Sequence, residues 1–126
     1  GVADALPALL RAEKLQKRAA RTGFDWTDAA EIFDKITEET AEVREAIASE
    51  DSAAIEEEIG DLLFVVANLA RRLQIDPEIA LRKGNDKFER RFKSMEKICR
   101  DKGIDFKTLN IEEQESCWQA VKQHEH

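Results

Sequence analysis

Ile55, Ile59, Leu62, Val66, Leu69 and Leu73 recur at spacings of three and four residues, the rhythm that gathers side chains on one face of an α-helix. Leu63, Val65 and Ala70 widen this stripe, so the segment reads as the most apolar helix of the chain and the one a bundle would place at its centre. Glu58 stands on the same stripe, in the register of Ile55 and Leu62. The preceding segment repeats the anomaly, with Glu39 in the register of Ile36 and Val43. An ionised carboxylate turned toward a core is costly unless a cation compensates it. Each intruding acid has a companion three residues on, Glu42 after Glu39 and Asp61 after Glu58, which puts both acids of a pair on one helix face. Four acids meeting at a helix interface, with no histidine nearby, form the oxygen-only donor set of a hard divalent cation. Mg²⁺ is the expected ion, with Mn²⁺ as an alternative.

The remaining acids carry no such signal. Glu31, Glu45, Glu50, Glu56 and Glu57 read as solvated helix faces, the ordinary fate of a glutamate. Gly60 lies inside the apolar helix, where glycine costs about 1 kcal/mol relative to alanine. It suggests close approach of another backbone or a ligand.

Length and composition bound the rest. With 126 residues, 37% charged and 42% hydrophobic, five glycines, two prolines and no tyrosine, the chain is expected to be one all-α domain, a bundle of about four main helices. Residues 1–6 resemble a linker, residues 7–126 form the domain, and the start without methionine is read as the continuation of a longer chain. A net charge of -7 argues against a general nucleic-acid or membrane-surface partner. The two cysteines, Cys99 and Cys117, have no metal-ligand spacing, and no run approaches membrane-spanning length. A reduced, cytoplasmic setting follows.

Punctuation along the chain places the helices. Pro7 suits the first turn of a helix that runs through Leu10, Leu15 and Ala19 and stops at Gly23. Asp28 with Glu31 supplies a capping box for a second helix that ends in the polar stretch from Ser49 to Ser52. Asp76 and Pro77 open a fourth helical stretch, expected to break or bend at Gly84 and continue through Phe88, Phe92, Met95 and Cys99 to Gly103. Asn110 with Glu113 caps a last helix bearing Trp118 and Val121.

These residues also resemble a known family. Glu38-Glu39-Thr40-Ala41-Glu42, followed after fifteen residues by Glu58-Ile59-Gly60-Asp61, resembles the EExxE and ExxD signature of the MazG nucleoside triphosphate pyrophosphohydrolases. Lys14 to Ala20 running into Gly23-Phe24-Asp25-Trp26 is similar to the first helix and turn of bacterial MazG domains. Asn85 to Phe92 and Trp118 to Lys122 are similar to later blocks. The resemblance covers nearly the whole chain. It implies an all-α, homodimeric enzyme that splits a nucleoside triphosphate into monophosphate and pyrophosphate, with Glu39, Glu42, Glu58 and Asp61 as Mg²⁺ ligands. Many bacterial MazG proteins carry two such domains, and the start of this chain resembles the beginning of the second.

Triphosphate hydrolysis needs charge neutralisation, an in-line water and a base. Glu38, beside the acid cluster, is the candidate to orient or deprotonate the water. Lys87 and Arg91, four residues apart inside the family-like block, are the expected phosphate donors, with Asn85 beside them. Trp118, followed one turn later by Lys122, is the better candidate for a base pocket, and Trp26 the other. Cys99 reads as core. Two other functions compete: a related all-α hydrolase acting on dUTP or phosphoribosyl-ATP, and a non-catalytic helical dimerisation module.

Overall fold

A computed structural model of the chain describes residues 2–26 and 28–125, and Gly1, Thr27 and His126 lie outside the described residues. Every regular element among them is helical: α1 (Ala8–Arg21), α2 (Ala29–Ser49), α3 (Ser52–Arg72), α4 (Pro77–Asp101), a single 3-10 turn (Phe106–Thr108) and α5 (Ile111–His124). Residues 2–6 form no helix or strand. None of the described helices is long and apolar enough to cross a membrane.

Local chemistry explains the helix ends. Pro7 stands one position before α1 rather than within its first turn. At the far end Gly23 takes a φ of +95°, and the amides of Phe24 and Gly23 return to the carbonyls of Ala19 and Ala20 at 3.2 and 3.0 Å. Those bonds satisfy carbonyls that the helix leaves open. Gly103 ends α4 in the same way, with Ile104 bonded to Cys99 at 2.8 Å. Gln74 does so at α3 without being glycine, at a φ of +61°.

Asp28 caps α2 by accepting from the amide of Ala30 at 2.9 Å rather than from that of Glu31, and the Glu31 side chain makes no return bond among the described residues, so the N-cap forms without the expected capping box. The box at α5 is complete: Asn110 accepts from the Glu113 amide at 2.8 Å, and the Glu113 carboxylate accepts from the Asn110 amide at 3.0 Å. Asp76 caps α4 through the amides of Glu78 and Ile79. The expected interruption at Gly84 does not occur, and α4 runs unbroken from Pro77 to Asp101. One glycine's cost of about 1 kcal/mol is too small to end a helix whose other residues favour it.

The chain divides into two compact units, Gly1–Ala80 and Leu81–His126. In the first, α2 and α3 form an antiparallel hairpin across only Glu50 and Asp51, and α1 packs on α3. Helix α3 is therefore central within this unit. Its core is narrower than the apolar stripe promised: Ile32, Ala12, Ala46 and Ala67 are buried, whereas Ile59, Val66 and Leu73 remain 43%, 45% and 55% exposed. Three helices supply too little surface to cover a stripe this wide. In the second unit Met95, Cys99 and Val121 are buried. Phe92 meets Phe106 edge-on, and the amide of Gln114 reaches the carbonyl of Phe106. Cys99 is core, as read, and both cysteines are free thiols.

Candidate metal centre

The hairpin brings the four acids level. Glu42 lies eight residues before Glu50 and Glu58 eight after it, while Glu39 and Asp61 lie eleven before and after. Two antiparallel helices rising equally from a two-residue link must place these pairs opposite one another. Carboxylate oxygens of Glu39, Glu58 and Asp61 all lie within 4.8 Å of one another. The Glu42 carboxyl is within hydrogen-bonding reach of both Glu39 and Glu58, so it belongs to the same cluster. Oε2 of Glu39 and Oε2 of Glu58 are buried without a hydrogen-bond partner among the described residues.

Crowding of like charges changes the acids. Glu58 is pushed up to about 7 by its hydrogen bond to Glu42, by burial and by the charges of Glu42, Asp61 and Glu39. Glu39 is raised by burial first and then by Glu42 and Asp61, with Lys35 opposing. A hard cation relieves all of these effects at once, and an all-carboxylate donor set with unmatched buried oxygens fits Mg²⁺ or Mn²⁺.

Glu38 faces outward on α2, with Lys35 Nζ 3.6 Å from its Oε2. The same Lys35 Nζ stands 5.9 Å from the ring centroid of half-buried Trp26, which also packs on Phe24 at 5.7 Å. Lys35 thus reaches the acid cluster from its own helix, although it was not singled out in the sequence. Its position four residues before Glu39 was the available signal.

The remaining candidates lie in the second unit. Lys87 and Asn85 are exposed on α4. Arg91 is not the free cation its spacing suggested: it is 9% exposed, its Nε bonds Glu125 Oε2 at 2.8 Å, and its guanidinium lies 5.4 Å from the Trp118 ring centroid. Trp118 packs on Phe88 at 5.6 Å, and Lys122 is partly buried. Phe88, Phe92, Phe106, Ile111 and Trp118 line an open apolar cavity of about 270 Å³.

Carboxylates projected from a helical hairpin onto one point, two of them with buried unmatched oxygens, mark an all-α protein with a donor set that could hold a hard cation. Residues 27–95 match the MazG nucleotide pyrophosphohydrolase domain, and the chain belongs to this family. It is 49% identical over 124 residues to the nucleoside triphosphate pyrophosphohydrolase of Escherichia coli (strain K12), covering 95% of the chain and 46% of that protein. It is 44% identical over 117 residues to the nucleoside triphosphate pyrophosphohydrolase/pyrophosphatase MazG of Thermotoga maritima, covering 93% of the chain and 45% of that protein. The chain spans about half the length of these curated relatives.

Proposed function

We propose that this chain hydrolyses nucleoside triphosphates to the monophosphate and pyrophosphate in a Mg²⁺-dependent reaction that clears unwanted nucleotides. The carrying observation is the convergence of Glu39, Glu58 and Asp61 oxygens within 4.8 Å. Relatives named for this activity support the reading. Glu39, Glu42, Glu58 and Asp61 would hold the ion, which supplies charge neutralisation for the triphosphate when bound. Glu38, outside the cluster and more exposed, would take the proton of the attacking water. Lys87 would donate to phosphate oxygens and Asn85 would help to orient them. Arg91 would join them only by exchanging Glu125 for phosphate, so its first task is to hold Trp118. Trp26 and Trp118 offer ring faces for a base, and Lys122 a charge beside Trp118.

A homodimer is part of the proposal, because Ile59, Leu63 and Val66 form an exposed stripe on α3 that a second copy would cover. Sedimentation at micromolar concentration should give a dimer, and a monomer would overturn this part. A longer parent with a second MazG domain fits the half-length match, and action in the cytoplasm is part of the same proposal.

The test is pyrophosphate release from a panel of ribo- and deoxyribonucleoside triphosphates with and without Mg²⁺, including dUTP and phosphoribosyl-ATP. Release from several triphosphates with Mg²⁺ alone is expected. Release from dUTP or phosphoribosyl-ATP only would narrow the enzyme to that substrate, and none from any would leave a non-catalytic module.

A further inference from the structure

The bond from Arg91 Nε to Glu125 Oε2 at 2.8 Å joins α4 to α5 at one level. One turn further along α4 and one turn back along α5 stand Met95 and Val121, each 4% exposed. A second such step reaches Cys99, equally buried, and Cys117, which is half-buried. Helix α5 returns along α4 after the 3-10 turn at Phe106–Thr108, so equal steps from a shared level bring these residues opposite one another. The side chains agree with that register, because the two sulfurs lie within hydrogen-bonding reach of each other.

Burial pushes the Cys117 thiol up, Cys99 adds to the effect and Lys102 opposes it. A thiol held in its protonated form is a slow nucleophile, so trace oxidant leaves the pair reduced. Proximity is what this pair offers instead. Cys99 lies in the last turn of α4, which Gly103 closes at a φ of +70°. Helix ends yield more readily than helix middles, which lets the sulfurs close the remaining gap to a bond of about 2.05 Å.

We propose that Cys99 and Cys117 are a modification site, a thiol pair that a peroxide converts into a reversible disulfide within one chain. Half-buried Cys117 reacts first. Its sulfur attacks one peroxide oxygen, the O–O bond breaks, and a sulfenic acid forms while the thiol proton leaves with the other oxygen as water. Cys99 then attacks the Cys117 sulfur, the S–O bond breaks, and hydroxide departs with the Cys99 proton as a second water. The two thiols supply the two electrons that reduce the peroxide. The product ties α4 to α5 and closes Arg100 to Ser116 into a loop that ends directly before Trp118. Nothing in this step depends on nucleotide hydrolysis.

The test exposes the chain at micromolar concentration to excess hydrogen peroxide. A thiol count should fall from two to none, a tryptic fragment should link Cys99 to Cys117, and dithiothreitol should restore both thiols. The cysteines are eighteen positions apart. Closing a loop of that length should raise the melting temperature on the order of 10 °C. Dithiothreitol should reverse the rise, and Cys117→Ser should never show it. Cys99→Ala is the second control, since Cys117→Ser leaves the buried partner in place.

Thiols that survive the peroxide overturn the proposal, as does oxidation that ends in sulfinic or sulfonic acid without a link. A Cys117 link between two copies, seen as a dimer in non-reducing electrophoresis, also overturns it. So does a disulfide that leaves the melting temperature unchanged or lowers it, because the native helices would then not hold the sulfurs in place for the bond.

Discussion

The acid cluster predicts a proton count. Glu58 has its pKa pushed from 4.5 up to about 7, chiefly by its hydrogen bond to Glu42, and Glu39 is moved in the same direction. An acid raised in the folded state keeps a proton that the unfolded chain has lost. Without metal, the stability from this effect is fully present below about 4.5 and is lost as pH rises through about 7. A cation occupying the cluster must displace that proton. At pH 6 Glu58 would be about 0.9 protonated and at pH 8 about 0.1. Mg²⁺ binding should therefore release close to one proton from Glu58 at pH 6, with a further fraction from Glu39, and almost none from Glu58 at pH 8. Titration calorimetry in buffers of different ionisation enthalpy reads this number directly, as the slope of apparent enthalpy against buffer enthalpy. Glu58→Gln should remove most of the slope at pH 6. Melting follows the same linkage: Mg²⁺ at about 100 times its dissociation constant adds about 2.7 kcal/mol, roughly 10 °C for a domain of this size. Equal proton release at pH 6 and pH 8, or an unchanged slope in Glu58→Gln, would refute the reasoning.

Glu39→Gln should lower pyrophosphate release at least about 100-fold by removing one ligand charge, with metal-free stability held or raised, as steady-state kinetics and thermal melts would reveal. Lys87→Ala should weaken nucleotide binding while changing stability by no more than about 0.5 kcal/mol. Arg91→Ala, by contrast, should cost about 2 kcal/mol in urea unfolding, because it removes a buried ion pair and a cation–π contact; the neighbouring Arg90, 3.6 Å from Glu125, limits the loss. Gly60→Ala should add about 1 kcal/mol to stability, since a Cβ there meets nothing within 4 Å. If that variant is more stable yet loses pyrophosphate release, a ligand approaches Gly60 closely.

That last case separates what the sequence could reveal from what it could not. Gly60 is unusual inside a helix, but no protein backbone crosses it within the described residues. The acids were legible because Glu39 and Glu58 break an apolar register, and a register survives in one dimension. Helix ends were legible wherever a single side chain decides them, as at Asn110, Asp76 and Gly23. The ion pair of Arg91 was not legible because its partner, Glu125, is 34 residues away and no local pattern links them. Gln16 and Asn68 were invisible for a related reason. A buried amide looks like a surface amide until the Phe64 carbonyl and the Arg71 guanidinium are brought against it. The stripe on α3 was read as core, yet much of it stays exposed, because periodicity reports that a face is apolar without saying how much neighbouring surface exists to cover it.

The two-residue link between α2 and α3 turns the hairpin into a ruler. One residue inserted between Glu42 and Ser49 would rotate Glu39 and Glu42 by about 100° and slide them about 1.5 Å, taking both away from Glu58 and Asp61. Seven residues added to each helix on the tip side of the acids would lengthen the hairpin by two turns and rotate each pair by only about 20°. The four carboxylates would stay level, with Glu42 still opposite Glu58. Such a protein would keep its cation affinity with two further turns between the acids and the tip. The length of this hairpin is thus quantised, free to change only in matched steps on both helices.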